Sequence, residues 1–321
     1  MKFRTEIEIK PFARRIDYGS HIFALGSCFA ENMAERMHRA KFRITASPMG
    51  ILFNPASIAY ALARFATGKL YSESELTEHD GRWFSFDAHT SLDGATMQEA
   101  LQSLNEALDK GREALHKADW IILTLGTAWV YELAESGRVV ANCHKMPQAM
   151  FHRRRLSVEE IVATYEPLVN QGILHGKQIL LTVSPVRHLA DGLDGNAVSK
   201  AVLRLAAEEL AEQYGNVHYF PSYEIMTDDL RDYRFYAEDL VHPSQQAVEY
   251  IWEKFADALL TDEAKALLPR VEQIVAAAGH RPFNPAGKEY ARFCTRMLAA
   301  IEALPEIDFS EERDFFGHRA E

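Results

Sequence analysis

"HIFALGSCFAEN", residues 21–32, changes its period halfway along. The first half is a short apolar run of the kind a buried strand requires. The second half places Phe29, Met33 and Met37 four apart, with Ala30 and Ala34 beside them, which is the apolar stripe of a helix. Between the halves stand Gly26, Ser27 and Cys28. A strand turning into a helix at that corner begins an α/β chain. It also sets a hydroxyl at a helix N-terminus, where free N–H groups and the helix dipole favour negative charge. The corner therefore holds either a nucleophile or a plain turn.

Working outward, the same alternation repeats. "WIILTLG" (120–126) is apolar without a polar face, so both sides of that strand are covered. "QILLTVSP" (178–185) reads the same way and stops at Pro185. "FRITAS" (42–47) is an edge-leaning strand, and "VHYFPSYEIM" (217–226) contains the last one.

Helices fall between the strands. Asn54 and Pro55 form an N-cap and first helical position ahead of Ile58, Leu62 and Phe65, with Gly68 as the stop. Thr96 and Glu99 form a capping box before Leu101, Leu104, Leu108 and Leu115, and Ser157 and Glu160 form another before Ile161, Val162, Tyr165 and Leu168. Val198, Val202, Leu205 and Leu210 stripe a further helix, and Val248, Ile251, Trp252, Phe255 and Leu259 stripe one over 244–260. Strands alternating with helices predict a parallel sheet covered by helices. Ser136-Gly137 between two strand-like runs predicts a hairpin. Residues 70–95 suggest a short strand and turn at the sheet's rim. The division expected is a main domain over 1–260 and a helical C-terminal extension over 261–321, broken at "RPFNP" (281–285).

Composition narrows the function classes. The 321 residues are 47% hydrophobic, which suits a large core, and the net charge is −11. An acidic chain argues against nucleic acid, whose phosphates need clustered Lys and Arg. The one basic run, His152 to Arg155, reads as a solvated loop. No run of 18 uncharged apolar residues suggests a membrane span. The first residues lack the apolar segment of a secretory signal. With three cysteines, Cys28, Cys143 and Cys294, the expectation is reduced thiols and a cytoplasmic protein.

In open parallel sheets ligands collect at the carboxyl ends of the strands. Those ends carry Ser27, Cys28, Gly126, Thr127 and Ser184, and beyond the last strand stand Asp239 and His242. A serine hydroxyl is a weak nucleophile until an imidazole takes its proton, and the imidazole needs a carboxylate to hold its tautomer. "EDLVHPS" (238–244) supplies both in a loop that Pro243 ends. Each half also has a plain reading, since a Gly-Ser corner can be only a turn and such a histidine can cap a helix. Their order, Ser first and Asp-x-x-His last, favours chemistry. Cys28 reads as packing beneath the first helical turn. No C-x-x-C or H-x-x-x-H spacing supports a metal.

"ALGSCFAENM" (24–33), "MGILFNPASIAYAL" (49–62), "LTLGTAWVYE" (123–132), "NCHKMP" (142–147), "TVSPVRH" (182–188) and "DLVHPS" (239–244) together resemble the GSCFA family, which is similar to the SGNH (GDSL-type) hydrolases. The resemblance implies a three-layer α/β/α, flavodoxin-like sandwich, with Ser27 as nucleophile, His242 as base and Asp239 as its orienting partner. It implies an oxyanion hole from the N–H groups of Ser27 and Gly50. The superfamily's third donor, an asparagine in a G-x-N stretch, is missing, because Ala128 stands there. Thr127 and Asn142 are candidate replacements. His144, Ser184 and His188 are candidate substrate contacts. The expected activity is hydrolysis of a carboxylic ester through an acyl-enzyme on Ser27, without metal or organic cofactor. A short acyl ester, such as acetyl on a carbohydrate, is the first substrate class to test. Three alternatives stand beside it: an O-acyltransferase with the same residues, a non-catalytic ligand-binding protein, and an assembly protein whose C-terminal helices make a homo-oligomer contact.

Overall fold

Strands β1 (His21–Gly26) and β5 (Trp120–Leu125) pair in parallel at the heart of a five-stranded sheet. The computed structural model describes residues 4–170, 172–280, 282 and 287–320. Strands β2 (Arg43–Ala46), β9 (Gln178–Val183) and β10 (Val217–Phe220) complete the sheet in the order β10-β9-β5-β1-β2. β5 pairs β9, and β9 pairs β10, also in parallel. All six residues of β5 are buried, which is why its sequence shows no alternation.

The chain clusters into two compact units. The first comprises His21–Ala34 and Thr45–Trp252, with the N-terminal residues to Glu8. Its helices include α2 (Pro55–Thr67), α3 (Met97–Lys117), α4 (Val158–Asn170) and α5 (Gly192–Gln213). The punctuation read from the sequence is visible at their ends. Asn54 Oδ1 accepts from the Ser57 N–H at 2.8 Å, and Gly68 ends α2 at φ 62°. Thr96 and Glu99 form a reciprocal box, as do Ser157 and Glu160. Phe23, Leu62, Phe65, Leu108, Ile121 and Leu123 belong to the core between sheet and helices.

Three readings are corrected. Residues 70–95 hold a separate two-stranded sheet, β3 (Thr77–His79) with β4 (Arg82–Phe84), instead of an addition to the main one. The basic run is strand β8 (Phe151–Arg155), not a loop. It pairs with β6 (Trp129–Leu133), which also pairs β7 (Val139–Val140) across the Ser136-Gly137 turn. Alternation splits the arginines between faces: Arg154 pairs Glu132 and Glu160, while Arg153 pairs Asp191 and lies 4.6 Å over Trp129. The third correction is α5. Val198 and Leu205, expected inside, are exposed, and the buried face runs Asn196, Ser199, Lys200, Leu203, Ala206 and Leu210. Polar atoms on that face serve the strand ends, so a purely apolar stripe gave the wrong rotation.

The second unit comprises Ile9–Ser20, Glu35–Ile44 and the chain from Glu253 onward. Helix α1 (Cys28–Arg39) begins in the first unit and ends in this one. After a single turn, α6 (Ser222–Glu224), in the first unit, helix α7 (Gln245–Leu259) leads here likewise. Helices α8 (Asp262–Gly279), α9 (Lys288–Glu302) and α10 (Ser310–Ala320) follow. Within the unit, Ile16 bonds the chain at Leu259 and Thr261, Tyr18 stacks on Phe42 at 4.5 Å, and Lys41 pairs Glu312 at 2.7 Å. The "RPFNP" break, apart from Pro282, lies outside the described residues. Among the described residues no helix is long and apolar enough to cross a membrane.

Candidate functional site

Gly26 sets the corner at Ser27. Its φ of 143° is one that residues with side chains rarely adopt, and a Cβ there would lie 2.2 Å from the Thr124 carbonyl oxygen. The Ser27 N–H donates to that same oxygen at 3.1 Å, and the Ser27 carbonyl accepts from the Ala30 N–H to start α1. The Ser27 side chain is fully buried, and its Oγ has no hydrogen-bond partner. Gly126, just past β5, packs against it: a Cβ on Gly126 would lie 3.3 Å from Ser27 Cβ.

Lys200 holds this floor together. It projects from α5, is fully buried, and donates from Nζ to the carbonyls of Gly126 (2.6 Å) and Ser184 (2.7 Å). The ends of β5 and β9 are thereby tied by one ammonium. Burial pushes its pKa down to about 7. Burial also raises the neighbouring Cys28 thiol, which makes it a poor thiolate.

Asp239 and His242 form a second group, on a loop in a different environment. The Val241 and His242 N–H groups donate to Asp239 Oδ1 at 2.9 and 3.0 Å, and His242 Nδ1 meets Asp239 Oδ2 at 2.7 Å. Side-chain exposure is 45% for His242 and 48% for Asp239. Backbone donation from His242, then its imidazole and the Val241 N–H, lower the Asp239 carboxyl to about 2. The carboxylate is thus ionised at any ordinary pH and fixes the ring through Nδ1, leaving Nε2 available.

The segment after β9 joins the loop to a cavity. Arg187 donates its N–H to the Val241 carbonyl (3.2 Å) and its guanidinium to that of Leu240 (3.4 Å), and it lies 3.9 Å over the Tyr236 ring. Next to it, burial first, then the charges of Lys200 and His242, lower the His188 pKa to about 4, so this imidazole is neutral. Arg187, His188 and Asp191 line a cavity of about 600 Å³, as do Arg153 and Gln148. Val140, Cys143, Met146 and Phe151 give it apolar lining, and Phe53, Asn54, Thr127 and Asn142 also border it.

The expected oxyanion donors are mostly committed elsewhere. Beyond the Ser27 N–H, Gly50 donates its N–H to Ser47 at 2.8 Å in a turn at φ 73°. Thr127 gives its N–H to Phe53 and shares its hydroxyl with Ser199 and the Trp129 N–H. Asn142 lines the cavity, with Oδ1 taking the His144 N–H at 2.8 Å. Two expected substrate contacts, His144 and Ser184, are buried with partners of their own. His144 is buried away from the cavity lining, stacked 4.0 Å on Phe84, with Nε2 between the Ser85 and Ala88 carbonyls and Asp93 3.3 Å from Nδ1. Ser184 is fully buried, and its Oγ caps the Val186 N–H. Neither residue lines the cavity.

Sequence reasoning missed Asn54 and Lys200 as site residues. Asn54 lines the cavity, and because its Oδ1 caps α2, its NH₂ is the group left for a ligand. Its N-cap signature concealed this second use. Lys200 had no signal beyond being a charge on the inner side of a helical pattern. Among the described residues no group of three or more His, Cys, Asp or Glu could hold a metal ion.

Two family comparisons cover most of the chain. The GSCFA family matches residues 21–255, and the description "GSCFA domain protein, C-terminal domain" matches residues 271–321. No curated protein matches the chain.

Proposed function

The chain belongs to the GSCFA family, and from that premise we propose that it is a serine ester hydrolase of the SGNH (GDSL-type) kind, built on that superfamily's three-layer sandwich. The observation that carries the reading is the Asp239–His242 pair. A carboxylate held by two backbone N–H groups fixes Nδ1 at 2.7 Å and leaves Nε2 for proton transfer. The pair sits on a loop hydrogen-bonded to the segment that lines the cavity.

In the proposed reaction His242 Nε2 accepts the Ser27 proton as Oγ attacks the ester carbonyl. The tetrahedral intermediate collapses, the alcohol leaves with the proton from His242, and an acyl-Ser27 remains. Water then gives a proton to His242 and its oxygen to the acyl carbon, and the acid departs as Ser27 regains its proton. The amide NH₂ groups of Asn54 and Asn142 are the donors assigned to the oxyanion, since the nearby backbone N–H groups are engaged. Ser27 Oγ makes no hydrogen bond in the structure, so the reaction requires Ser27 Oγ and His242 Nε2 to come within hydrogen-bond reach as substrate enters.

Labelling with a fluorophosphonate followed by peptide mapping tests this. Modification at Ser27 that is lost in His242→Ala is the expected result. An unchanged mass after prolonged exposure would instead favour a non-catalytic ligand-binding protein, the reading to which the buried, unpartnered Ser27 Oγ also lends support.

A further inference from the structure

The cavity of about 600 Å³ is lined by two arginines against one aspartate, in a protein whose net charge is −11. The aspartate is already matched. Arg153 pairs with Asp191, whose side chain is only 4% exposed, and Arg153 also lies over the Trp129 and Tyr131 rings, 4.6 and 5.5 Å from their centres. His188 adds no charge, because burial keeps its imidazole neutral.

Arg187 is the charge without a counterpart. Its guanidinium meets the Leu240 carbonyl at 3.4 Å and lies over the rings of Tyr236 and Tyr233, at 3.9 and 5.1 Å. All three groups are neutral, and among the described residues no carboxylate pairs with it. A guanidinium held in place by neutral groups keeps most of its five N–H donors, in a fork that matches a carboxylate or a phosphate.

Neighbouring side chains lean the same way. Asn54 Oδ1 caps α2 and Asn142 Oδ1 takes the His144 N–H, so each presents its NH₂. The Thr127 hydroxyl is shared between Ser199 and the Trp129 N–H. These residues spend their oxygens on the protein and leave N–H groups for a ligand. The volume is that of a small-molecule site, and Phe53, Trp129 and Phe151 offer contact to a ligand's body.

We propose that this cavity binds a small organic anion, a carboxylate or phosphate monoester on an apolar body, with Arg187 as its anchor and the Asn54 and Asn142 amides as further donors. The assignment concerns binding and does not depend on the hydrolase reading.

Calorimetry on the full chain with naphthyl phosphate, naphthoate and the neutral naphthamide tests it. At least one of the two anions binds roughly tenfold or more tighter than naphthamide, the margin of one charged hydrogen-bonded contact. The tighter of the two identifies the head group. Arg187→Gln removes that margin, and Arg187→Lys, which keeps the charge without the fork, restores part of it. Asn54→Asp is the second variant. An aspartate still caps α2, but it replaces the amide donor with a carboxylate oxygen, so it weakens the anions and spares naphthamide. Thermal melting verifies that each variant is folded. Equal affinity for all three probes, no binding of either anion, or anion binding undiminished in either folded variant overturns the proposal. Labelling of Ser27, or its failure, leaves these outcomes untouched.

Discussion

The loop at Asp239–His242 and the floor at Ser27–Lys200 carry complementary chemistry in opposite surroundings. The loop is half exposed, and the order of its carboxylate is local: Asp239 accepts three hydrogen bonds from residues within three positions of itself, and among the described residues Arg187 alone hydrogen-bonds the loop to a distant segment. The floor is buried, and its order comes from afar, since Lys200 reaches carbonyls 74 and 16 positions away. Local order in water can be removed with little consequence for folding. Order in a dry interior cannot, because every severed bond leaves a polar group without a partner. The two regions should therefore separate activity from stability.

The sharpest test of that separation is His242→Ala. Catalysis of an ester should fall by about 10⁶-fold, with no measurable change in thermal melting. A large loss of stability would show that the loop is not independent of the fold. Asp239→Asn should cost roughly 10⁴-fold in kcat, again without destabilisation. Because the carboxyl titrates near pH 2, acid loss of activity in the wild type should not follow Asp239 at pH 4–6.

Lys200→Met turns to the floor. The lysine's folded pKa lies below its unfolded value of 10.5, so the unfolded chain binds more protons between about pH 7 and 10.5. Wild-type stability gains from this group as pH rises through that window and is lowest below it. The variant lacks that slope. Denaturant midpoints at pH 7 and 10 should therefore show the wild type pulling ahead of the variant at alkaline pH, by on the order of a few kcal/mol. Parallel profiles would mean that the amine is not desolvated as the structure has it. Ser199→Ala is the smallest change. It removes the hydroxyl that accepts from the Ala128 N–H at 2.8 Å and bonds Thr127, and should cost about 1–2 kcal/mol with activity largely kept.

The contrast also explains what could be read from residues alone. Strands and caps were legible because their causes are local: a six-residue apolar run, an Asn-Pro start, a Thr-x-x-Glu box. Asp239 and His242 were legible for the same reason, being three apart. Lys200 was not, because its partners are brought to it only by β5 and β9 pairing, and a lysine inside a helix reads as a solvated charge. The basic run was misread because charge outweighed alternation, although Arg153 and Arg154 face opposite ways on β8. The surroundings of His144 were not legible, because proximity in sequence to Asn142 says nothing of the aromatic slot formed by Phe84 and Phe86.

That strand has a consequence for the gene as well as for the fold. Each residue of β8 is assigned to a face by parity, so inserting or deleting one codon between Phe151 and Arg155 would exchange the two arginines downstream of the change. Arg154 would arrive beside Asp191, and Arg153 would be left to solvent and Glu132. Point substitutions in this stretch can be absorbed one at a time. A single-residue length change would invert the whole wall, and natural variation here is expected to proceed by replacement and hardly ever by indel.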